Sequence, residues 1–269
     1  MNKILKTLSN VKFIFFWVLM LFLATEIYAI DYPYQKFFPK DSKERALAQQ
    51  LTDKLDQLYD NNDDNKIFSE ILSIKDHFSL LIASEWLQLK SFSGDARYNY
   101  YYASSLLRMA FAPNTPEENQ KAFKETATTM FFLGKLMILI DGERCKDKNI
   151  AYPTIFYELE DGIKGEINNY WKSLSDNEKN KIINNALEIE EKLKGRKPEA
   201  WICQRSAESM TRYFETDPNC NNCAEQETEM GKTIIVPTDK IIPQYIDDTE
   251  WHKKRIEIRD NFIYKSIKD

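Results

Sequence analysis

The sequence predicts a mainly α-helical fold, with about eight helices arranged as an irregular bundle or as a stack of helical hairpins. Apolar residues recur at helical spacing through most of the chain. Capping signals precede several of these apolar stripes. Only seven glycines and nine prolines occur in 269 residues, whereas all-β proteins use many of both in their turns. We therefore expect at most one short strand.

The first 29 residues have the features of a secretory signal peptide. Three lysines and no acid occur in the first 12 residues, and residues 13–25 are uncharged and mostly apolar. A membrane-spanning helix needs about 20 apolar residues, more than this segment has. Cleavage is predicted after Ala29. The alternative is an uncleaved N-terminal anchor, favoured by the large Ile27 near the cleavage site. No later segment is long and apolar enough to predict a transmembrane helix after cleavage.

Three helices are predicted in the N-terminal part. An extended aromatic lead-in over residues 31–39 precedes leucines at steps of four, four and three, which predict a first helix over residues 41–59. A broad apolar face predicts a second, long helix over residues 65–91. Asp95 can cap a third helix, which must end before Pro113.

Two further helices are predicted in the middle of the chain. The motif Thr115-Pro116-Glu117-Glu118 has the form of a capping box, with proline at a position where no amide proton is needed. This fourth helix is predicted to run to Asp141, just before a glycine. Apolar spacing predicts a fifth helix over residues 153–171, weakened by Gly162 and Gly165.

Two more capping signals define the next helices. Ser175-Asp176-Asn177-Glu178 is a second capping box, and it begins a sixth helix that should extend to Gly195. Pro198 can occupy the first turn of a seventh helix, whose apolar residues continue to Phe214.

The end of the chain contains the one β-like run and the last helix. Residues 233–236 read Thr-Ile-Ile-Val before a proline, which predicts a short strand. The eighth helix is predicted to be capped by Asp248 or Thr249. Charged and turn-forming residues cluster near residue 145, so we divide the chain into an N-terminal helical unit, 30–144, and a C-terminal helical unit, 145–269. The two could also form one continuous domain.

All four cysteines, Cys145, Cys203, Cys220 and Cys223, lie in the second half. An even number in an exported chain predicts two disulfides, and three pairings are possible. A redox role for the pair Cys220 and Cys223 is the alternative, because a C-x-x-C motif can lower a thiol pKa where it opens a helix. A structural zinc site would need two such motifs, and the sequence has one.

No catalytic, cofactor-binding or metal-binding residue is predicted. Asp60, Asn62 and Asp64 have the spacing of a calcium loop, but glycine at position six and glutamate at position twelve are missing. The chain has two histidines, too few for a multi-histidine metal site. Glu208, followed by serine, resembles the Glu-Ser pair of lytic transglycosylases, in which an acid protonates a glycosidic oxygen. The Gly-Leu-Met-Gln segment that accompanies this pair in that family is absent.

The composition and the motifs together predict a class of function. A formal net charge of -5 opposes binding to nucleic acid. Tyr98 and Tyr102 share a helical face, either in the core or in a binding groove. We predict an exported soluble protein, periplasmic or secreted, that needs no cofactor and binds another protein or an envelope component without catalysis. The alternative is an envelope enzyme, either a thiol-disulfide oxidoreductase using Cys220 and Cys223 or a glycan hydrolase using an acid such as Glu208.

Overall fold

A computed structural model of the chain describes residues 32, 34–221, 223–228, 231–235 and 241–268. The predicted signal peptide and the cleavage site after Ala29 lie outside the described residues. The mainly α-helical class is confirmed, with twelve helices and one small antiparallel hairpin in the described part. The elements are α1 (Tyr34–Phe37), α2 (Lys43–Asp60), α3 (Asp64–Ser73), α4 (His77–Ser91), α5 (Ala96–Ala110), α6 (Glu117–Arg144), α7 (Tyr152–Glu160), α8 (Lys164–Ser173), α9 (Asp176–Lys192), α10 (Ala200–Gln204), α11 (Ala207–Thr216), β1 (Ala224–Thr228), β2 (Gly231–Ile235) and α12 (Asp248–Lys268).

Three of the predicted helices are each divided in two. The helix predicted over residues 65–91 breaks after Ile74, because the Asp76 carboxylate accepts the amide proton of Ser79 at 2.8 Å and begins a new helix there. The helix predicted over residues 153–171 breaks at Gly162, whose φ of +74° suits a residue without a Cβ. The seventh predicted helix becomes α10 and α11, because Ser206 caps the second piece.

The helix predicted to begin at the Thr115 motif starts as expected but uses a different contact and ends later. No side chain caps its N-terminus; the Thr115 hydroxyl instead donates to the carbonyl of Met109 at 2.9 Å. The helix continues past the predicted end at Asp141 to Arg144. The capping box at Ser175 is confirmed, with both of its reciprocal bonds present. Asp247 accepts the first amide protons of α12, one residue before the predicted cap.

The predicted strand has a partner that the sequence did not indicate. Strand β2 pairs antiparallel with β1, from Ala224 opposite Ile235 to Thr228 opposite Gly231. This corrects the expectation of at most one short strand, because an isolated strand would leave its backbone groups unpaired. Val236, the last residue of the predicted run, lies outside the described residues.

Helix α6 is the central element of the packing. It contacts α5, α8, α9, α10 and α12. Its residues contribute to a large apolar cluster with α2 to α5 and to a second cluster with α8, α9 and α12. The large cluster also contains Ile155 and Cys203, so it extends across residue 145. The division into two units at that residue stays a prediction.

The aromatic lead-in forms part of the core instead of remaining extended. Tyr32 and Tyr34 are buried, and helix α1 begins at the second of them. The Tyr32 hydroxyl donates to Asp56 of α2 at 2.5 Å, and the same carboxylate accepts the indole proton of Trp86 at 2.9 Å. Among the described residues, no helix combines the length and the apolar character that crossing a membrane requires.

Candidate functional site

A groove with a volume of about 630 Å³ lies between helices α6, α7, α8 and α12, and we call it the α6 groove. Helix α6 supplies Phe131, Phe132, Lys135, Leu139 and Glu143. Phe132, Lys135, Leu139 and Glu143 follow one another at steps of three or four, and Phe131 lies four residues before Lys135, so all five border one face of the helix.

Helices α7, α8 and α12 supply the rest of the groove lining. Helix α8 adds residues at helical spacing, and α12 adds a shorter stripe across the groove. Three of the four helices, α6, α7 and α8, follow one another in the sequence, and α12 joins them from the C-terminal end of the chain. The lining residues of α7, α8 and α12 are Tyr152, Glu160, Lys164, Asn168, Trp171, Lys172, Ile258, Asn261 and Phe262.

The walls of the groove are aromatic and apolar. The Phe132 ring lies 4.7 Å from the ring of Trp171 and 6.1 Å from that of Phe262, measured between centroids. Trp171 and Phe262 are each 5% exposed, whereas Leu139 and Ile258 are partly open. The walls therefore continue the second apolar cluster, and their open surface is both aromatic and aliphatic, since Phe132 and Tyr152 are partly open too.

A buried carboxylate anchors two lysines at one side of the groove. Glu160, the last residue of α7, is 1% exposed. Its carboxylate pairs with Lys164 at 2.7 Å and with Lys135 at 3.7 Å. Burying a charge is costly unless it is paired, so these lysines hold Glu160 in place. A smaller cavity of about 370 Å³ at the turn between α7 and α8 shares Glu160 and Lys164.

The second acid of the groove is paired with lysines that do not line it. Glu143 contacts Lys254 at 3.2 Å and Lys148 at 3.7 Å. Lys172, by contrast, is exposed and has no carboxylate within 4.0 Å among the described residues. The lining thus has three lysines and two glutamates, and one of the glutamates is neutralised from outside.

Tyr152 closes one end of the groove against the backbone of α6. A Cβ added at Gly142 would lie 2.6 Å from the Cζ atom of Tyr152, so only glycine allows this approach. Burial, together with the nearby charges of Glu143 and Asp141, raises the pKa of Tyr152. The phenol therefore stays neutral and forms part of the wall.

A buried ion pair lies next to this end of the groove. The Arg196 guanidinium donates to Asp141 at 2.6 Å, and their side chains are 6% and 0% exposed. Burial nevertheless raises the pKa of Asp141 to about 6, because the loss of hydration outweighs the attraction of Arg196. Burial and the neighbouring Asp95 and Asp141 raise the pKa of Glu199 to about 8.

These two acids predict a stability that falls as pH rises. The pKa of each is raised in the folded state, so the folded chain binds more protons than the unfolded chain between about pH 4 and pH 8. The stabilisation is complete below pH 4 and is lost as pH rises through 6 and 8.

Glu199→Gln should reduce this loss of stability between pH 5 and pH 9 by roughly 1 to 3 kcal/mol. Urea unfolding from pH 5 to pH 9 measures it, with the exposed Glu215→Gln as control. An unchanged pH dependence in Glu199→Gln would contradict the prediction.

The structure resolves the pairing that the sequence left open. Cys145 pairs with Cys203 at a Cα distance of 5.4 Å, and Cys220 pairs with Cys223 at 5.2 Å. The first pair is buried and joins the end of α6 to α10. The second lies in a turn next to Tyr213 and Ile241.

The environment of Cys220 and Cys223 differs from that of known redox motifs. Asp217 organises the turn: its carboxylate accepts the amide proton of Asn221 at 2.9 Å and the Tyr213 hydroxyl proton at 3.2 Å. Strand β1 begins directly after Cys223, at Ala224. The motif therefore does not open a helix, the context in which a helix dipole lowers a thiol pKa.

The other candidates from the sequence lie away from the α6 groove. Glu208 is exposed in the first turn of α11, and its amide donates to Asp147 at 2.9 Å. Tyr98 and Tyr102 are buried in the core, 1% and 4% exposed, so they do not line a groove. Asp64 accepts bonds from Tyr98 and from Arg97. No group of three or more His, Cys, Asp or Glu side chains in the described part of the chain is placed to hold a metal ion.

Sequence reasoning did not identify the α6 groove. It interpreted Trp171, Ile258 and Phe262 as ordinary core stripes. Polar residues were the signal that could have indicated it: Lys135 lies within an otherwise apolar stretch of α6, and Lys164, Asn168 and Lys172 have helical spacing beside Trp171.

No protein-family model, curated protein or solved structure matches the chain.

Proposed function

We propose that the chain is an exported, non-enzymatic binding protein, periplasmic or secreted, and that the α6 groove holds its ligand. The observation that carries the proposal is the groove itself. Its volume of about 630 Å³ is within the usual range for sites of small ligands. Its combination of apolar walls with a few converging polar groups is also typical of such sites.

Two features support export. The first 29 residues have a basic start followed by a short apolar segment, as secretory signal peptides do. All four cysteines lie in pairs whose Cα distances suit disulfides, and disulfides persist in oxidising compartments outside the cytosol.

The charges of the groove favour binding over acid-base catalysis. Glu160 and Glu143 each have two lysine partners, which suits carboxylates that position neighbouring groups. The two enzymatic alternatives depend on residues outside the groove. Glu208 is exposed on α11, and the turn containing Cys220 and Cys223 leads into a strand. Neither Glu208 nor the two cysteines line the α6 groove.

The uncharged dye N-phenyl-1-naphthylamine, whose fluorescence rises in apolar surroundings, tests the groove. We expect saturable binding to the folded protein. Ile258→Trp should weaken this binding at least tenfold, because the larger ring fills the groove from α12. Ile256→Trp is the matched control: Ile256 lies two residues away on the same helix, is 58% exposed and does not line the groove.

Two results would contradict the proposal. The folded protein could fail to bind the dye, or Ile256→Trp could weaken binding as much as Ile258→Trp. Urea unfolding of both variants separates a filled groove from a destabilised α12, since only the latter lowers the free energy of unfolding.

A further inference from the structure

The α6 groove has a charge opposite to that of the whole protein. The chain has a formal net charge of -5, whereas three lysines and two glutamates line the groove. Glu143 is neutralised by Lys148 and Lys254, which lie outside the lining. Glu160 is shared between Lys135 and Lys164, so the positive charge of Lys172 is not balanced by a carboxylate contact in the described structure.

The positive groups lie at the opening of the groove. Lys164 and Lys172 are both exposed, and they are eight residues apart on α8, which places them on one face of that helix. The amide side chains of Asn168 and Asn261 are also exposed there. Ammonium and amide donors together suit a head group that accepts several hydrogen bonds and has a negative charge.

Only a few apolar side chains are open inside the groove. Phe131, Trp171 and Phe262 are only 3 to 5% exposed and offer no open ring face on which a sugar could stack, whereas Phe132 and Tyr152 are partly open. The partly open side chains with apolar surface are Phe132, Leu139, Tyr152 and Ile258. This surface is suited to a hydrocarbon body, which gains free energy from leaving water and needs no polar partner.

We infer that the ligand of the α6 groove is a small amphiphile with one anionic head group and a hydrocarbon body. The inference rests on the proposed function and names its ligand class. The hydrocarbon body lies between Phe132, Leu139 and Ile258, and the head group contacts Lys172 and Lys164 at the opening.

Displacement of bound N-phenyl-1-naphthylamine tests the inference with three probes that share a 12-carbon chain: dodecanoate, dodecanol and dodecyltrimethylammonium. The two ionic probes are used below their micelle concentrations and dodecanol below its solubility limit. We expect dodecanoate to displace the dye at a roughly tenfold lower concentration than dodecanol, and the cationic probe to be weakest. The advantage of dodecanoate should shrink in 1 M salt, where charges are screened within about 3 Å.

A charge variant identifies the lysine involved. Lys172→Gln should weaken dodecanoate two- to fivefold, the range for one exposed ion pair, and leave dodecanol unchanged. The matched control is Lys66→Gln, an exposed lysine on α3 outside the groove. Because Lys172 contacts no carboxylate of the described chain, its replacement should leave the free energy of unfolding unchanged, and urea unfolding checks this.

The outcomes distinguish failure of the anionic ligand class from failure of the proposed binding function. Equal displacement by dodecanoate and dodecanol, or stronger displacement by the cation, overturns the anionic ligand while the binding function stands. Unchanged dodecanoate affinity in Lys172→Gln overturns the assigned position of the head group. If the dye itself does not bind the folded protein, the proposed function fails, and the inference fails with it.

Discussion

Replacing Cys145 and Cys203 by serine should lower the free energy of unfolding by about 2 to 4 kcal/mol. The two cysteines are 58 residues apart in the sequence, so their bridge closes a long loop and restricts the unfolded chain strongly. They are also 0% and 1% exposed, and the replacement would bury two hydroxyl groups in an apolar cluster. The end of α6 and α10 would lose their covalent link next to the ion pair of Asp141 and Arg196.

The second cysteine pair is the matched control. Cys220 and Cys223 are three positions apart in the sequence, and restricting so short a loop stabilises a fold much less. Urea unfolding of the two double variants makes the comparison. Peptide mass spectrometry of the protein purified from cells, with its thiols blocked, should show Cys145 linked to Cys203, and the proposed export predicts an N-terminus at Ile30. Equal destabilisation of the two variants, or a link between Cys145 and Cys220, would contradict the assignment.

Glu190→Ala should destabilise the protein by about 3 to 5 kcal/mol, the cost of leaving buried charges unpaired. The Glu190 carboxylate accepts two bonds from Arg255, at 3.0 Å and 2.7 Å, and another from Arg259. Glu190 is 1% exposed, and the side chain of Arg255 is 8% exposed. Without this acid, the two arginines of α12 lose their buried partner on α9 and keep only the exposed Glu191 and the carbonyl of Leu187.

Glu191 offers a control on the same arginine. It also pairs with Arg255 at 2.7 Å, but its side chain is 44% exposed. Glu191→Ala should therefore cost less than about 1 kcal/mol. Because α12 carries Ile258 and Phe262, Glu190→Ala should also weaken dye binding in the α6 groove, whereas Glu191→Ala should not. Similar unfolding free energies for the two variants would show that burial of Glu190 is not what secures α12.

Local sequence signals were sufficient wherever a few neighbouring residues decide the structure. Asp95 and Ser175 begin helices as predicted, because a cap needs only its own side chain and the next three amides. The apolar stripes identified the helical class for the same reason, since apolar residues at steps of three and four share one face only in a helix. The single helix predicted over residues 65–91 shows the limit of such signals. Its apolar pattern continues across Ile74, but the helical backbone hydrogen bonds stop there and Asp76 caps a second helix.

The tertiary structure decided which distant residues meet. The same four cysteines allow three pairings, and only the approach of α10 to the end of α6 selects Cys145 and Cys203. Arg196 reaches Asp141 across 55 residues, and burial by surrounding elements sets the pKa of that carboxyl. The α6 groove has the same origin. Its lysines resemble solvated surface residues in the sequence, and they line a common cavity only when α6, α7, α8 and α12 pack together. Spacing along the chain determines the face of a helix, but packing between helices determines what that face contacts.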